Sequence, residues 1–487
     1  MPSAMPRKRW THRILAVFGA VSLVATLATT PAAAIDWTIN PDTHEAAAAT
    51  NASADASSCP TLASEPGGVE AWFNTDDMEY RGLGDSNNAP SATWSFAHKI
   101  AQVICGAKKG ANIYVGMYFI RAIGTADRPE TDTDIIWNAM KYVIANRGVK
   151  IGFVMDGGGI TSASSKAQIK SKLSEIGAGI YWCYNGCLNS NTAKKFPYAI
   201  NHEKFLAISD TIWAGDSAQH PAVYSSSGNF ARSQVRNYWQ EATLIYDDVR
   251  LYNFTVDRYN AMKVCTGSST GGKNCKSGNF PGAKQSGIVT AAGSLKKLRG
   301  IWTDSYFRRY TDAGRGTTIS FSPQPETVLD YYVEQFNDVD CTVDNKIRVA
   351  MYRLTDTRAV RFIDTVKTLK KQGCDVRILL SQTGGAQTIS KQVSKQIKAA
   401  GLTAQINCTR IPIHTKMILI GPATNNNGRI LFGTANMSTS AIRYSEEHVI
   451  TMDSRRADDA MAADIRQVYG VYQAGWNELN QGSRTCK

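Results

Sequence analysis

The chain says the same thing twice, and this constrains its fold more than any single motif. Residues 110–120, GANIYVGMYFI, form a β-rich run that is answered by NKIRVAMYRL at 345–354. A helical segment follows in each copy, DIIWNAMKYVIANRG and AVRFIDTVKTLKKQG. Each leads into a second buried strand, VKIGFVMDGGG at 149–159 and DVRILLSQTGG at 375–385. A second helix comes next, SKAQIKSKLSEIGAG and ISKQVSKQIKAAG. The copies then reach NHEKFLAISD at 201–210 and IHTKMILIG at 413–421. Strand, helix, strand, helix, strand is the pattern of an α/β layer structure with largely parallel pairing. Its recurrence in one order marks an internal duplication. The expected fold class is therefore α/β, in two halves at 67–262 and 300–483. A chain of 487 residues is too long for one small core.

The remaining segments read differently. Arg7, Lys8, Arg9 and Arg13 precede the apolar stretch ILAVFGAVSLVATLA and then TTPAAA. A basic head, a short apolar centre and small residues describe a secretory signal over 1–34, with the cut after Ala34. The apolar run is shorter than the ~20 residues that span a bilayer. Residues 35–66 lack periodicity and read as a flexible leader, and 263–299 as a linker or long loop. Without residues 1–34 the net charge falls from +13 to +9, a basic surface suited to anionic partners such as lipid headgroups or nucleic acid. Ten cysteines, an even count in an exported chain, point to disulfides. Cys183 with Cys187 and Cys265 with Cys275 are the candidate local bridges, and the other six leave their connectivity open. With no CxxC pair, a zinc cluster is disfavoured.

The chemistry lies in the repeated strand. Residues two apart on a strand share a face, so His202 projects with Lys204 and His414 with Lys416. The next residues, FLAI and MILI, are buried strand, and burying a lone lysine is costly unless an anion or partner meets it. One His-x-Lys is an ordinary strand edge; two at equivalent places are a site. Each is followed by small residues and an asparagine, Ser227 and Asn229 in YSSSGNF, Thr434 and Asn436 in FGTANMS, which suit close approach to phosphate oxygens. Each half then has a carboxylate entering a β-rich run, Glu241 in QEATLIY and Glu446 in SEEHVIT. Such a carboxylate can hold the outer ring nitrogen of a histidine. His98 and His448 read as structural, and His220 as a possible cleft residue. Tyr118, Tyr352, Trp182 and Trp239 read as core or as the lining of an acyl or base pocket.

Two His-x-Lys motifs, each followed by a small-residue/Asn motif and a glutamate, resemble the phospholipase D (HKD) superfamily, over nearly the whole mature chain. The resemblance implies two α/β/α halves about a pseudo-twofold axis, with both histidines in one cleft. It implies a covalent phosphohistidine route, with His202 as nucleophile and His414 as acid/base, or the reverse. Lys204, Lys416, Asn229, Asn436, Ser227 and Thr434 would bind the phosphate oxygens, and no metal or other cofactor is required. The family's aspartate, five residues after the lysine, is missing: Ser209 stands there, with Asp210 one step late, and Gly421 in the other copy. The reading is a secreted phospholipase D-type hydrolase acting at a membrane or micelle surface, with transfer to alcohols as a side activity. A nuclease of the same superfamily and a non-catalytic binder of anionic surfaces are the alternatives, and no obligate protein partner is inferred.

Overall fold

Two sheets carry the fold, and their strands run in the same order. The first half contains β1 (Val69–Phe73), α1 (Ser95–Cys105), β2 (Asn112–Met117), α2 (Thr131–Arg147), β3 (Lys150–Asp156), α3 (Ala163–Glu175) and β4 (Gly179–Cys183). It continues with β5 (Lys204–Ile208), β6 (Ala222–Ser226), β7 (Glu241–Tyr246) and α4 (Val249–Val264). After a short ladder of β8 (Lys296–Leu298) and β9 (Ile301–Thr303) come β10 (Arg309–Asp312), β11 (Arg315–Ser322) and α5 (Tyr331–Glu334). Then come β12 (Lys346–Met351), α6 (Asp356–Lys371), β13 (Asp375–Leu380), α7 (Lys391–Ala399) and β14 (Ile406–Cys408). The chain closes with β15 (Lys416–Gly421), β16 (Arg429–Gly433), α8 (Thr439–Arg443), β17 (Glu447–Ala457), α9 (Asp459–Asn480) and β18 (Arg484–Thr485).

The first sheet is ordered β1-β7-β6-β5-β2-β3-β4. The second is ordered β11-β17-β16-β15-β12-β13-β14, with β10 and β18 added at its edges. This is a duplicated α/β fold. The computed structural model describes residues 59–60, 67–74, 95–121, 131–158, 163–184, 186–187, 200–231, 234, 238–264, 296–298, 301–303, 309–312, 314–324, 330–381, 388–422 and 425–486. The signal segment and most of the leader and of 263–299 lie outside them.

Among the described strands, pairing is parallel only along β2–β3–β4 and β12–β13–β14. The His-x-Lys strands β5 and β15 return antiparallel beside β2 and β12, and β6, β7, β16 and β17 continue antiparallel. This corrects the largely parallel expectation. Parallel neighbours need a crossover, usually a helix, and no helix is described between β5 and β6 or between β15 and β16.

Alternation along the strands explains why the repeated runs are apolar throughout. Ile418 and Ile420 face the helices of their own half, while Met417 and Leu419 face the other half. Helix α6 covers its sheet with Ala359, Phe362, Ile363, Val366 and Leu369, a 3-4 spacing that makes one buried stripe. In α7 only Val393 and Ile397 are buried, and the Ser390 hydroxyl caps it by accepting from Val393 N. A third core lies between the sheets: Val69, Val223, Trp239 and Ile245 pack with Ile319, Met417, Ile450, Tyr472 and Trp476. The halves thus share a core and cluster together within Pro41–Lys487.

Of the two local bridges expected from the sequence, the one between Cys183 and Cys187 is formed. The other, between Cys265 and Cys275, is not among the described bridges, because Cys265 and Cys275 both lie outside the described residues. Three further disulfides join Cys59 to Cys105, Cys341 to Cys374 and Cys408 to Cys486, pairings that spacing alone had left open. Among the described residues no helix is long and apolar enough to cross a membrane.

Candidate active site

Lys204 and Lys416 open β5 and β15, opposite Met117 and Met351 at the ends of β2 and β12. The residues just before each lysine leave their own sheet and pair with the other half. Asn201 bridges Glu446 in parallel: His202 N donates to Glu446 O (2.9 Å) and Glu446 N to Ile200 O (3.0 Å). The second ribbon repeats this. Ile413 bridges Trp239, His414 N donates to Trp239 O (2.9 Å), and Trp239 N donates to Pro412 O (2.9 Å). These bridges set the register. Residue 202 lies beside 447 and 203 beside 448; residue 414 lies beside 240 and 415 beside 241. Alternation then puts His202 and Glu447 on one face of the ribbon, and Glu203 and His448 on the reverse.

The two imidazoles meet where the ribbons converge, with ring centroids 6.1 Å apart. His202 Nδ1 is 2.7 Å from Glu447 Oε2, and His414 Nδ1 is 2.9 Å from the Ser227 carbonyl oxygen. A carbonyl oxygen only accepts, and a carboxylate does the same, so both Nδ1 atoms carry hydrogen in the neutral rings. Each Nε2 then holds the lone pair, and the backbone of Thr434 also lies within hydrogen-bond reach of the His202 ring. Lys204 Nζ donates to His202 O (2.7 Å), and Lys416 Nζ donates to His414 O and lies 3.1 Å from its Nδ1. A tyrosine backs each pair. Tyr118 lies 5.1 Å from the His202 ring and 5.6 Å from Lys204 Nζ; Tyr352 lies 4.7 Å from the His414 ring and 5.2 Å from Lys416 Nζ. Tyr238 packs 5.8 Å from His414.

Burial governs the charges. His202 is 5% exposed and His414 3%, and burial together with the two lysines holds both imidazoles well below their ordinary range. Burial also pulls Lys204 down to about 7, against the opposing pull of Glu447, Glu203 and Glu241. Lys416 is lowered by burial and by Lys204, and burial raises Glu447 despite both lysines. The site is thus a desolvated cluster of cations and weak bases. An anion bound among these residues would favour every protonated cation at once.

The ribbons are alike in backbone and unlike in side chains. Beside His202 stands a carboxylate, Glu447; the equivalent neighbour of His414 is Gln240, an amide. Gln240 accepts from Ser227 Oγ (2.8 Å) and donates to Gln234 O (3.0 Å).

The structure brings His202, His414, Lys204 and Lys416 together, and it rearranges their supporting residues. Glu446 does not reach the His202 ring; Glu447, one residue on, does. Glu241 does not reach His414 either. It accepts from Ser227 Oγ (2.6 Å) and, at 3.4 Å, from Lys416 N, on the reverse face where the other ribbon has His448. Ser227 holds His414 through its carbonyl, its hydroxyl being taken by Gln240 and Glu241. Thr434 Oγ1 accepts from His448 N (3.0 Å). Asn229 is fully buried, accepting from Phe119 N (3.4 Å), whereas Asn436 is partly exposed and its Oδ1 has no partner among the described residues. The position of the absent acid is used otherwise. Ser209 Oγ accepts from Asn112 N (2.9 Å), stitching β5 to β2, and Asp210 pairs with Lys108 (3.2 Å). At Gly421 an added Cβ would sit 3.0 Å from Tyr469 Oη and 3.2 Å from Gly428 Cα, which leaves little room for an aspartate. His220 lies beyond the opposite end of β5, held by Asp216 and Asp247. Trp239 stacks on Phe73 (4.2 Å) in the shared core, and Trp182 packs on the first core.

Comparison with known proteins places this geometry. Residues 342–469 match the sequence family described as cardiolipin synthase, PLD-like domain. Among solved structures, phosphatidylserine synthase of Haemophilus influenzae Rd KW20 superposes with a TM-score of 0.52 at 12% identity, covering 86% of this chain and 88% of that one. Nuc, a phospholipase D family member of Salmonella typhimurium, covers 35% of this chain and 97% of its own, at 18% identity and a TM-score of 0.26. Yeast tyrosyl-DNA phosphodiesterase matches over 73% and 84%, at 9% identity and a TM-score of 0.40. No curated protein sequence matches.

Proposed function

We propose that this member of the phospholipase D superfamily hydrolyses phospholipids, or transfers their phosphatidyl group to an alcohol, through a phosphohistidine on His202. One observation carries the reading: two imidazoles 6.1 Å apart, each anchored through its Nδ1, over two buried lysines. That spacing lets one phosphorus lie between both Nε2 atoms. His202 Nε2 attacks phosphorus, and the bond to the headgroup oxygen breaks. His414 Nε2–H gives its proton to that oxygen, then takes one from water or an alcohol, whose oxygen displaces His202. Burial keeps His414 neutral on its own; the bound phosphate anion raises its basicity and that of both lysines, so His414 takes up a proton from solvent on Nε2 as substrate enters and holds it for the leaving oxygen. Glu447 supports this assignment of roles. Phosphorylated on Nε2 and protonated on Nδ1, the ring is cationic, and a carboxylate at Nδ1 stabilises it; the amide of Gln240 does so far less. Lys204, Lys416 and Asn436 bind the phosphoryl oxygens.

The lipid substrate is supported by the family description, a cardiolipin synthase, and by the neighbour of similar fold, a phosphatidylserine synthase. Export is supported by the basic, apolar and small-residue order of residues 1–34 and by the four described disulfides. The deciding experiment offers phosphatidylcholine vesicles and plasmid DNA to the purified protein in EDTA. Release of headgroup with DNA intact is expected. DNA cleavage with lipid untouched overturns the lipid reading, and activity on neither leaves a binder of anionic surfaces.

A further inference from the structure

The reverse face of the ribbon that holds His202 carries a second buried glutamate–histidine pair, which the chemistry above does not use. His448 Nδ1 is 2.5 Å from Glu203 Oε2, and His448 Nε2 is 2.7 Å from Ser225 Oγ. The other Glu203 oxygen is 3.4 Å from Arg258 Nη2, which also donates to the Ser322 carbonyl. Phe205 and Phe321 close over the imidazole (6.2 and 6.4 Å), and Arg258 lies over the Phe321 ring (4.8 Å). Glu203, Ser225, Arg258 and His448 are all buried at 2% exposure or less. A serine–histidine–glutamate chain this enclosed has no access to substrate, so its chemistry is spent on geometry.

We propose that Glu203 and His448 are positioning residues for the reaction, holding the ribbon in the register that sets Glu447 against His202. The two pairs are consecutive steps of one ladder: 202 with 447 in front, 203 with 448 behind. Each crosses between the halves. A slip of one residue would turn Glu447 away from the ring, and a directional hydrogen bond between buried side chains resists slipping where an apolar contact would not. His448 is itself pinned to the strand behind it, since Thr434 N donates to His448 O (2.9 Å) and Thr434 Oγ1 accepts from His448 N (3.0 Å). The second ribbon has Thr415 and Glu241 at the equivalent places and the amide of Gln240 in front. The rear pair is therefore found on the ribbon whose front carries a carboxylate.

The kinetic arm of the test rests on the proposed chemistry, and the spectroscopic arm does not. The Nδ1–H proton of His202, bonded to Glu447, gives a far-downfield resonance identified by its loss in Glu447→Gln. It should be lost or displaced in Glu203→Gln and His448→Gln while both variants still melt cooperatively. With bis(4-nitrophenyl) phosphate in EDTA, kcat should fall about 10–100-fold with KM nearly unchanged, since small misplacements near a reacting group cost up to about 100-fold. In a Glu447→Gln background the same substitutions should cost less than about twofold more, because both act through one contact. An unchanged His202 resonance overturns the proposal, as do costs that multiply with those of Glu447→Gln. If neither variant folds, the pair is structural and the proposal fails. A wild-type protein inert toward the diester refutes the proposed function instead, and the resonance alone then decides the positioning role.

Discussion

Glu447→Gln isolates the difference between the two ribbons. It keeps the shape of the side chain, and it gives His202 the same neutral neighbour that His414 has in Gln240. What is lost is one charge-assisted hydrogen bond between buried groups, 2.7 Å long. Bonds to charged groups contribute about 1.5–3 kcal/mol. If the carboxylate acts mainly once the ring becomes cationic, that becomes about a 10- to 150-fold loss in the rate of phosphohistidine formation. KM should hardly move, because the carboxylate touches the ring and not the substrate. Single-turnover mixing with a radiolabelled phosphodiester, followed by an alkaline quench that preserves phosphohistidine, reads the rate and, after peptide mapping, the labelled residue. In the wild type the label should sit on His202. Adding Gln240→Glu to Glu447→Gln moves the carboxylate to His414 and should move part of the label with it. A Glu447→Gln rate within about twofold of wild type, well below the expected loss of such a bond, refutes the role given to the carboxylate. Wild-type label on His414 refutes the assignment of roles.

Three further outcomes are expected from described features. Because burial pulls Lys204 down to about 7, kcat/KM should decline as pH rises through about 7, where the neutral amine stops offering charge to phosphate; in kcat the limb should move upward, because bound phosphate favours the ammonium. Profiles that are flat from neutral to alkaline pH contradict this. Gly475→Ala places a methyl group 2.7 Å from Phe73 and 2.9 Å from Trp239 in the core shared by the halves, and should lower stability by about 1–3 kcal/mol in urea unfolding; an unshifted midpoint contradicts it. Cys486→Ser opens a bridge across a sequence separation of 78, for which the chain-entropy model gives about 4–5 kcal/mol, so the melting temperature should fall clearly, and an unchanged one shows that this loop is held by other contacts.

The parts readable in the sequence are those decided over short range. Two apolar runs in one order revealed the duplication, since strands buried on both faces must be apolar on both. Spacing two apart revealed that His202 and Lys204 share a site. What escaped was set by pairing across hundreds of residues. Nothing local distinguishes Glu446 from Glu447, since the choice depends on Asn201 bridging Glu446 rather than its neighbour. The same shift hides the equivalence of Gln240 with Glu447 and of Glu241 with His448, so the two matching glutamates first suggested by the motifs, Glu241 and Glu446, are not a matching pair. Comparing QE in the first copy with EEH in the second offers the signal only once both ribbons are aligned. The return of β5 beside β2 was likewise hidden, because connection length alone does not say which edge a strand takes.

The two short ribbons have a mechanical consequence. A cleft between two lobes invites a hinge that opens for substrate and closes for chemistry, but here the backbone bonds at 200–202 with 446 and at 412–414 with 239 join the lobes at the level of the reacting rings. Spreading the lobes would tear out those four bonds and bare the core beneath them, dismantling the catalytic floor in order to reach it. The floor is a weld. Substrate has to be admitted from above it by parts that leave it whole, and exchanging those parts can change what enters without disturbing the chemistry below.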